Sequence, residues 1–252
     1  DLPIAVSILI ATGQVESARV DIPMVGELSL DGRVRPIKGV TSMAIALYRA
    51  GIHEFIVPYE NRNEATAIEG IKVYPVKDIA QAVEACCGKI QAYTHHESGD
   101  SSSNGYLDMA SVMGQESAKR ALEIAAAGRH NILLYGPPGS GKTMLAKCVP
   151  GILPPLTKEQ AITTTMIHSV GGTLGHGQGL IYTPPFRAPH HTSSDAALVG
   201  GGKIPTVGEV SLAHNGVLFL DEFVEFRNDV IQALRQPLED CHITISRAMG
   251  TM

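Results

Sequence analysis

Several features that would place a chain in a special class are missing from this sequence. None of its 252 residues is tryptophan, and no apolar run approaches the roughly 18–20 residues that a membrane-spanning helix needs. The chain does not begin with the basic segment of a signal peptide. We therefore expect no membrane partner and a cytoplasmic location.

Cysteine is scarce and irregularly spaced. The four cysteines are Cys86, Cys87, Cys148 and Cys241, and none of them forms the C-x-x-C spacing of zinc or redox sites. This pattern favours reduced thiols in a cytosolic protein over disulfides or a zinc centre.

The overall composition indicates a globular chain. Hydrophobic residues make up 44% and charged residues 18%, which excludes wholesale disorder. The net charge of −5 argues against a broadly basic surface that coats nucleic acid, although it leaves room for a local basic groove. The 26 glycines follow no three-residue period, so they indicate functional loops rather than a collagen-like repeat.

A polar segment divides the chain. Residues 94–107 (THHESGDSSSNGYL) have almost no aliphatic side chains to bury, which predicts a flexible linker. On either side we predict an α/β domain, the first over residues 1–93 and the second, with a parallel sheet, over residues 108–252. Because the chain begins with Asp1 inside an apolar run, we interpret it as a fragment of a longer protein.

Local patterns predict individual elements of both domains. Asp31-Gly32 lies between alternating runs and predicts a β-hairpin, and residues 40–47 have the period of a helix that Gly51 ends. Residues 55–57 predict a buried strand, and Asp78 predicts a helix N-cap. For the second domain we predict a helix over 115–127, a helix that a capping box at 157–160 begins, and a helix over 229–238. We also predict buried strands over 131–135 and 216–220 and a final strand over 243–245.

A glycine-rich loop carries the first functional motif. Residues 136–143 (GPPGSGKT) fit G-x-x-x-x-G-K-[ST] between a predicted strand and a predicted helix, a context that an incidental glycine-rich turn would not explain. Glycines let backbone N–H groups approach phosphate oxygens, and the helix that begins at Lys142 adds its positive dipole end. We expect Lys142 to reach the β- and γ-phosphates of ATP and the Thr143 hydroxyl to bind Mg²⁺. The predicted nucleotide-binding residues are Gly136, Pro137, Pro138, Gly139, Ser140, Gly141, Lys142, Thr143 and, from the second motif, Asp221.

Two acids that follow an apolar run form this second motif. Residues 217–222 (VLFLDE) predict a buried strand with carboxylates at its C-terminal edge, where ligands bind in open α/β sheets. We predict that Asp221 holds Mg²⁺, directly or through water, and that Glu222 is the general base for the attacking water. Glu222 and Lys142 are thus the predicted catalytic residues. The alternative is a pair of solvated acids after a core strand.

Other patterns allow more than one interpretation. His190-His191 with Asp195 suggests a metal site, but adjacent histidines in a strand point to opposite faces, which favours a role in loop structure or interaction.

Four segments after the linker resemble magnesium-chelatase-type AAA+ ATPases. They are FRAPHHT, ALVGGG, GEVSLAHNG and LRQPLE, at residues 186–192, 197–202, 208–216 and 234–239. The resemblance implies a P-loop AAA+ domain that binds and hydrolyses ATP with Mg²⁺. It also implies that Arg187 and Lys203 are candidates for contacts to a nucleic-acid backbone, the alternative being ordinary surface charges. In the same way it implies that Gly114-Gln115 borders the adenine, the alternative being that the pair simply begins a helix. In that family a sensor strand, an arginine finger and a helical lid follow, and these do not fit before residue 252. We therefore expect this chain by itself to bind ATP–Mg²⁺ but to turn it over poorly.

The first 93 residues resemble the proteolytic domain of Lon-type proteases. The likeness is carried by residues 26–34 (GELSLDGRV), 49–52 and 56–58. Lon proteases use a Ser/Lys dyad, but Ile4 and Met43 stand at the dyad positions, so we predict core residues there and a protease fold without protease activity.

A degenerate Lon-like domain joined to a chelatase-like ATPase domain resembles the YifB/ComM family of bacterial AAA+ proteins. That family implies a homo-hexameric, ATP-driven motor that acts on single-stranded or branched DNA, with branch migration in natural transformation. Three alternatives stay open: a magnesium chelatase subunit, an ATP-dependent protease, and an ATP-gated scaffold that does not hydrolyse.

Overall fold

The computed structural model describes residues 1–15, 18–94, 106–175, 177–202, 206–240 and 242–243. Most of the predicted linker, Lys203, Cys241 and the predicted strand residues Thr244 and Ile245 lie outside these ranges. The chain separates into two units, one of residues 1–98 with 165–181 and the other of residues 99–164 with 182–252. Residues 165–181, predicted as part of the second domain, therefore belong to the first unit. The predicted boundaries at 93 and 108 stay predictions.

Among its described residues, the first unit contains four helices, four strands and the C-terminal part of a helix that begins in the second unit and ends at Gly171. In chain order its elements are α1 (Leu2–Ala11), β1 (Glu27–Leu28), β2 (Val34–Arg35), α2 (Val40–Arg49), β3 (Glu54–Pro58), a 3₁₀ turn (Tyr59–Asn61), α3 (Arg62–Thr66), β4 (Lys72–Val76) and α4 (Ile79–Cys86).

Several local predictions for this unit are confirmed. β1 and β2 form the antiparallel hairpin around Gly32, whose φ of 82° suits glycine. The N-cap of α4 is Asp78, whose Oδ1 accepts a hydrogen bond from the Gln81 N–H at 2.8 Å. β3 pairs in parallel with β4 and is buried over Phe55–Pro58, as its apolar run predicts.

The prediction that Ile4 and Met43 lie in the core is wrong. Ile4 is 66% exposed and Met43 38% exposed. Helix α1 is apolar on all sides, so its sequence does not reveal that Leu2 and Val6 form the buried face. Neither Ile nor Met supplies a nucleophile or a proton acceptor at these positions.

A buried carboxylate organises polar contacts inside the first unit. Glu64 is only 4% exposed, and its Oε2 accepts hydrogen bonds from Thr41 Oγ1 at 3.0 Å and from Ser169 Oγ at 2.7 Å. Its Oε1 accepts a hydrogen bond from the Asn61 amide. Ser169 Oγ also accepts a hydrogen bond from the Gly39 N–H at 3.0 Å, so the end of the helix that stops at Gly171 is bonded to the start of α2. Because each buried donor is satisfied, Glu64 stabilises the unit rather than straining it.

Replacing Glu64 by alanine should destabilise the first unit. The change leaves three buried donors without their acceptor, and we expect the free energy of unfolding to fall by about 3 kcal/mol. Urea unfolding followed by circular dichroism measures the loss. Glu60→Ala is the control, since Glu60 is exposed and its replacement should change stability by less than about 0.5 kcal/mol. Equal effects of the two changes would show that the buried hydrogen bonds are not stabilising.

In the described part of the second unit lie the remaining helices and four short strands. Its elements are a 3₁₀ turn (Met109–Ser111), α5 (Glu116–Gly128), α6 (Lys142–Ile152), the N-terminal part of α7 (Lys158–Gly171), β5 (Phe186–Arg187), α8 (Asp195–Val199), β6 (Gly200–Gly201), β7 (Thr206–Val207), α9 (Glu209–Leu212), β8 (Val217–Leu218), a 3₁₀ turn (Phe223–Glu225), α10 (Asn228–Ala233) and α11 (Arg235–Asp240). α7 continues through Gly171 in the first unit. The capping box of α7 is confirmed, because the Thr157 N–H donates to Gln160 Oε1 at 3.0 Å and the Gln160 N–H to Thr157 Oγ1 at 3.4 Å.

The predicted parallel pairing is present, but one predicted strand is not. β5 and β8 are parallel neighbours, whereas residues 131–135 have no regular secondary structure. Leu133 is 80% exposed and Tyr135 98% exposed, so the prediction of a buried strand before the glycine-rich loop is wrong. An apolar run becomes a strand only where a neighbour accepts its backbone hydrogen bonds, and no described residue pairs with this segment.

Two apolar clusters support the second unit. One joins α5 and α6 through Leu122, Leu145 and Cys148, and the other packs α8 against α10 through Leu198 and Val230. Burial raises the pKa of the Cys148 thiol, and that of Cys86 in the first unit, so both stay protonated near neutral pH. Among the described residues, no helix is long and apolar enough to cross a bilayer.

Candidate nucleotide site

The glycine-rich loop leads directly into a helix. Gly139 and Gly141 have φ angles of 75° and 83°, a region that costs other residues about 1 kcal/mol or more. Gly141 is the N-cap of α6, so helical geometry begins at Lys142 as predicted. The loop therefore lies at the positive end of a helix of eleven residues, which favours an anion such as phosphate.

The Lys142 ammonium lies within the curve of this loop. Its Nζ donates to the carbonyl oxygen of Gly136 at 2.9 Å and to that of Pro137 at 2.8 Å. Ser140 Oγ lies 3.4 Å from the same nitrogen. The loop backbone thus fixes a single positive charge where the motif predicts the phosphates, and a phosphate oxygen would replace neutral carbonyls by a stronger, charged acceptor.

The hydroxyl of Thr143 and the carboxylate of Asp221 meet across the site. Thr143 Oγ1 donates to Asp221 Oδ2 at 3.1 Å, although the two residues are 78 positions apart in the chain. β8 ends at Leu218 and brings Asp221 to this edge, while the first turn of α6 presents Thr143. Both motifs predicted from sequence therefore converge on one place in the second unit.

Glu222 follows Asp221 in an unusual backbone conformation. Its φ of 52° is left-handed, and its N–H donates to Asp221 Oδ1 at 3.1 Å. The conformation turns the chain sharply after the acids, and the Glu222 side chain is 66% exposed. A carboxylate in this position is open to water and lies next to the Asp221 carboxylate.

A known protein family matches the region that contains this site. The family described as "Magnesium chelatase, subunit ChlI" matches residues 108–252, which include the glycine-rich loop and both acids. This chain belongs to that family. A second description, "Subunit ChlI of Mg-chelatase", matches residues 1–61.

Individual relatives of this ChlI-family chain agree with the match. It is 44% identical over 255 residues to the "Competence protein ComM" of Haemophilus influenzae and 43% identical over 249 residues to the "Uncharacterized protein YifB" of Escherichia coli. The chain belongs to the YifB/ComM group. Each alignment covers 98% of this chain but only 50% of the ComM protein and 49% of the YifB protein. The chain therefore spans about half the length of the curated relatives it matches.

The Lon resemblance is also found. The chain is 32% identical over 75 residues to the "Lon protease" of Buchnera aphidicola, an alignment that covers 28% of this chain and 10% of the protease. The likeness is thus local.

Sequence reasoning did not assign two contacts of this ChlI-family site. Gln115, at the start of α5, donates from Nε2 to the Ser140 carbonyl at 3.2 Å and so braces the loop. His191 lies beside Glu222, with Nδ1 3.4 Å from Oε2. Both residues belong to short sequence patterns. Such patterns do not predict these contacts, because each partner lies at least 25 residues away in the chain.

The structure also corrects the interpretation of the histidine pair. His190 and His191 are not in a strand, and their rings lie together with centroids 4.1 Å apart and planes tilted by 36°. The two side chains therefore do not point to opposite faces, because that alternation belongs to extended strands.

Arg187 has a partner inside the unit. Its guanidinium makes a bidentate ion pair with Glu209, with Nε–Oε2 and Nη2–Oε1 distances of 2.5 and 2.7 Å. This pairing raises the pKa of the Arg187 guanidinium. Arg187 thus connects β5 to α9, and an external phosphate would have to compete with a two-point carboxylate contact.

Proposed function

We propose that this chain binds ATP–Mg²⁺ and forms the ATP-hydrolysing part of a ComM-type motor that acts on DNA. The observation that carries the ATP proposal is the meeting of Thr143 and Asp221 beside the Lys142 loop. A glycine-rich loop at a helix N-terminus, an ammonium and a Thr/Asp oxygen pair are the groups that triphosphate and magnesium require.

The donor set fits magnesium. The separation of 3.1 Å between Thr143 Oγ1 and Asp221 Oδ2 is close to the roughly 3.0 Å between adjacent ligands of an octahedral Mg²⁺. Hydroxyl and carboxylate oxygens are hard ligands of the kind that Mg²⁺ prefers. When bound, Mg²⁺ neutralises charge on the β- and γ-phosphates, and Thr143 and Asp221 would hold it.

The chain's own residues would then divide the hydrolytic work. Backbone N–H groups of residues 136–143 and the Lys142 ammonium orient the γ-phosphate, and Glu222 accepts a proton from the attacking water. The water oxygen bonds to the γ-phosphorus while the bond to the β–γ bridging oxygen breaks, releasing ADP and phosphate. Lys142 stabilises the charge that develops on the phosphate oxygens.

Asp221→Asn tests the magnesium role. The amide is a weaker ligand than the carboxylate, so we expect ATP affinity in magnesium to fall toward the affinity measured with EDTA. Calorimetric titration with and without Mg²⁺ measures both values. Asp229→Asn, an exposed acid on α10, should keep the full magnesium effect. An unchanged magnesium effect in Asp221→Asn would rule out Asp221 as a ligand.

The DNA part of the proposal is supported by the ComM relative and by the paired ChlI-like and Lon-like segments. For the protein as the cell makes it, assembled as a hexamer, we expect single-stranded or branched DNA to stimulate ATP hydrolysis. DNA affinity should fall linearly with salt concentration on a double-logarithmic plot, since phosphate contacts release counterions. A flat response to DNA and to salt would contradict this part.

A second candidate is a magnesium chelatase subunit, which the description of the matching family favours. The Lon-like segment favours the motor instead, because a Lon-like part joined to a chelatase-like part is the combination that resembles the YifB/ComM family. A porphyrin-dependent stimulation of ATP hydrolysis, without any effect of DNA, would decide for the chelatase. Protease activity is not part of the proposal, because Ile4 and Met43 lack the required chemistry, and casein degradation would overturn that.

A further inference from the structure

Two cationic side chains meet around one tyrosine at an edge of the sheet in the first unit. β3 and β4 are parallel and end level with each other, so Tyr59 and Lys77, which follow them, leave the sheet side by side. The Arg62 guanidinium carbon lies 4.0 Å from the centre of the Tyr59 ring, and Lys77 Nζ lies 4.5 Å from it. Both positive charges thus lie against the same ring, at the carboxyl ends of parallel strands, where ligands bind in open α/β sheets.

Further contacts hold the arginine in this place. Arg62 Nη1 donates a hydrogen bond to the Tyr59 carbonyl at 2.7 Å, and its guanidinium carbon lies 5.7 Å from the centre of the Tyr93 ring. The Tyr93 hydroxyl donates to Asn63 Oδ1 at 3.1 Å, and the Tyr93 N–H donates to the Val73 carbonyl at 2.8 Å. A guanidinium has five N–H donors, so the single bond to a carbonyl leaves most of them for a ligand.

Both cations lack a carboxylate partner among the described residues. Arg62 and Lys77 form no ion pair there, whereas Arg19 of the same unit is paired with two carboxylates. Of the two acids that lie next to the cluster in sequence, Asp78 already caps α4, and Glu60 is exposed. Two positive charges held against one ring repel each other, and an anion that binds between them removes this repulsion.

A third exposed cation follows a backbone contact to the same edge. The Val34 N–H of β2 donates to the Lys77 carbonyl at 2.8 Å, and Arg35 is the next residue of β2. Arg35 is exposed and forms no ion pair in the described part of the chain. Cations that follow a phosphate backbone, combined with aromatic rings on which bases stack, are typical of surfaces that bind single-stranded nucleic acid. The tyrosines favour such a strand over a lipid surface, and Tyr59 is 36% exposed.

We propose that Tyr59, Arg62, Lys77 and Tyr93 form a contact surface for single-stranded DNA on the first unit, with Arg35 at its border; this rests on the proposed action on DNA. The guanidinium and the ammonium bind phosphate groups of the strand. The Tyr59 ring holds the two cations in place, and its exposed part contacts a base. The first unit thereby has a role in holding DNA rather than in proteolysis.

The main test measures the binding of a fluorescein-labelled oligothymidine strand to the protein as the cell makes it. For Arg62→Gln combined with Lys77→Gln, we expect the dissociation constant at low salt to rise at least about 10-fold. The slope of log affinity against log salt should become shallower by about 1.4, since each phosphate contact on a single strand contributes about 0.7. The control is Arg49→Gln combined with Lys89→Gln, which removes two exposed cations elsewhere in the unit and should keep affinity within about 2-fold.

Single variants separate phosphate contacts from a structural effect. Glu60→Gln removes the exposed negative charge next to Tyr59 and should strengthen binding about 2-fold. Tyr59→Phe keeps the ring and should bind like the wild type, whereas Tyr59→Leu should weaken binding. If the double variant does not fold, Lys77→Gln decides, because the Lys77 side chain donates no hydrogen bond to a described residue. We then expect the salt slope to become shallower by about 0.7.

Photocrosslinking locates the strand directly. An oligonucleotide that carries 5-iododeoxyuridine reacts with nearby aromatic side chains under ultraviolet light, and mass spectrometry should find it on Tyr59 or Tyr93. Wild-type affinity and salt slope in the double variant, equal losses in the control, or crosslinks confined to the second unit would each overturn the proposed surface.

Failure of the underlying function gives a different pattern. Wild-type protein that does not bind the strand would overturn the proposed action on DNA and the surface with it. Failure of the surface alone leaves the binding of DNA by the wild type intact.

Discussion

Lys142→Ala should abolish measurable binding of ATP–Mg²⁺. The ammonium is held by two loop carbonyls at 2.8–2.9 Å, and the change removes the positive charge that would contact the β- and γ-phosphates. Charge-assisted hydrogen bonds contribute about 1.5–3 kcal/mol each, so losing two of them should weaken affinity at least about 100-fold. Isothermal titration of the folded variant with ATP and Mg²⁺ measures the loss.

Lys147→Ala is the matched control for this experiment. Lys147 is an exposed lysine of the same helix, α6, and its removal changes the net charge equally. We expect its affinity for ATP–Mg²⁺ to stay within about 2-fold of the wild type, as for an exposed charge remote from the ligand. Equal losses in both variants would mean that net charge, rather than the loop, governs binding, and the nucleotide site would then be wrongly assigned.

Glu222→Gln should separate binding from hydrolysis. The amide is nearly the same size as the carboxylate but does not accept a proton, so ATP–Mg²⁺ should bind with near wild-type affinity. We expect kcat to fall by about 100-fold or more, the range that general-base catalysis contributes. Phosphate release in the protein as the cell makes it measures turnover, and calorimetry measures affinity.

The control for this change is Glu225→Gln. Glu225 is exposed and lies in the 3₁₀ turn that follows Glu222, so its replacement removes one nearby charge and leaves the predicted base. Turnover in Glu225→Gln should equal that of the wild type. Wild-type turnover in Glu222→Gln would instead show that another group accepts the proton.

Local sequence patterns predicted elements well where neighbouring residues decide the structure. The turn of the hairpin at Gly32, the N-cap at Asp78 and the capping box at Thr157 all depend on residues within four positions of each other. Their physical cause is a backbone conformation or a short side-chain hydrogen bond, and both can be read from a few consecutive residues. The family comparisons confirm the ChlI and Lon resemblances that the longer motifs carried.

Burial was predicted less well, because it depends on partners. Residues 131–135 have the composition of a buried strand, but no described residue pairs with them and Leu133 and Tyr135 are exposed. Ile4 belongs to a helix whose apolar sides are all alike. In both cases the sequence gives the preference of a segment for apolar surroundings. It does not say whether another segment provides them.

The sequence alone determined the type of chemistry. The spacing of Gly136, Lys142 and Thr143, and the acids after an apolar run, predict the proposed phosphate and magnesium recognition, because so few residue types allow close backbone approach and hard oxygen ligands. Only the tertiary structure decided which distant groups meet: Thr143 with Asp221, Gln115 with the loop, and His191 with Glu222. Contacts between residues far apart in the chain are set by strand register and packing, which no local pattern encodes.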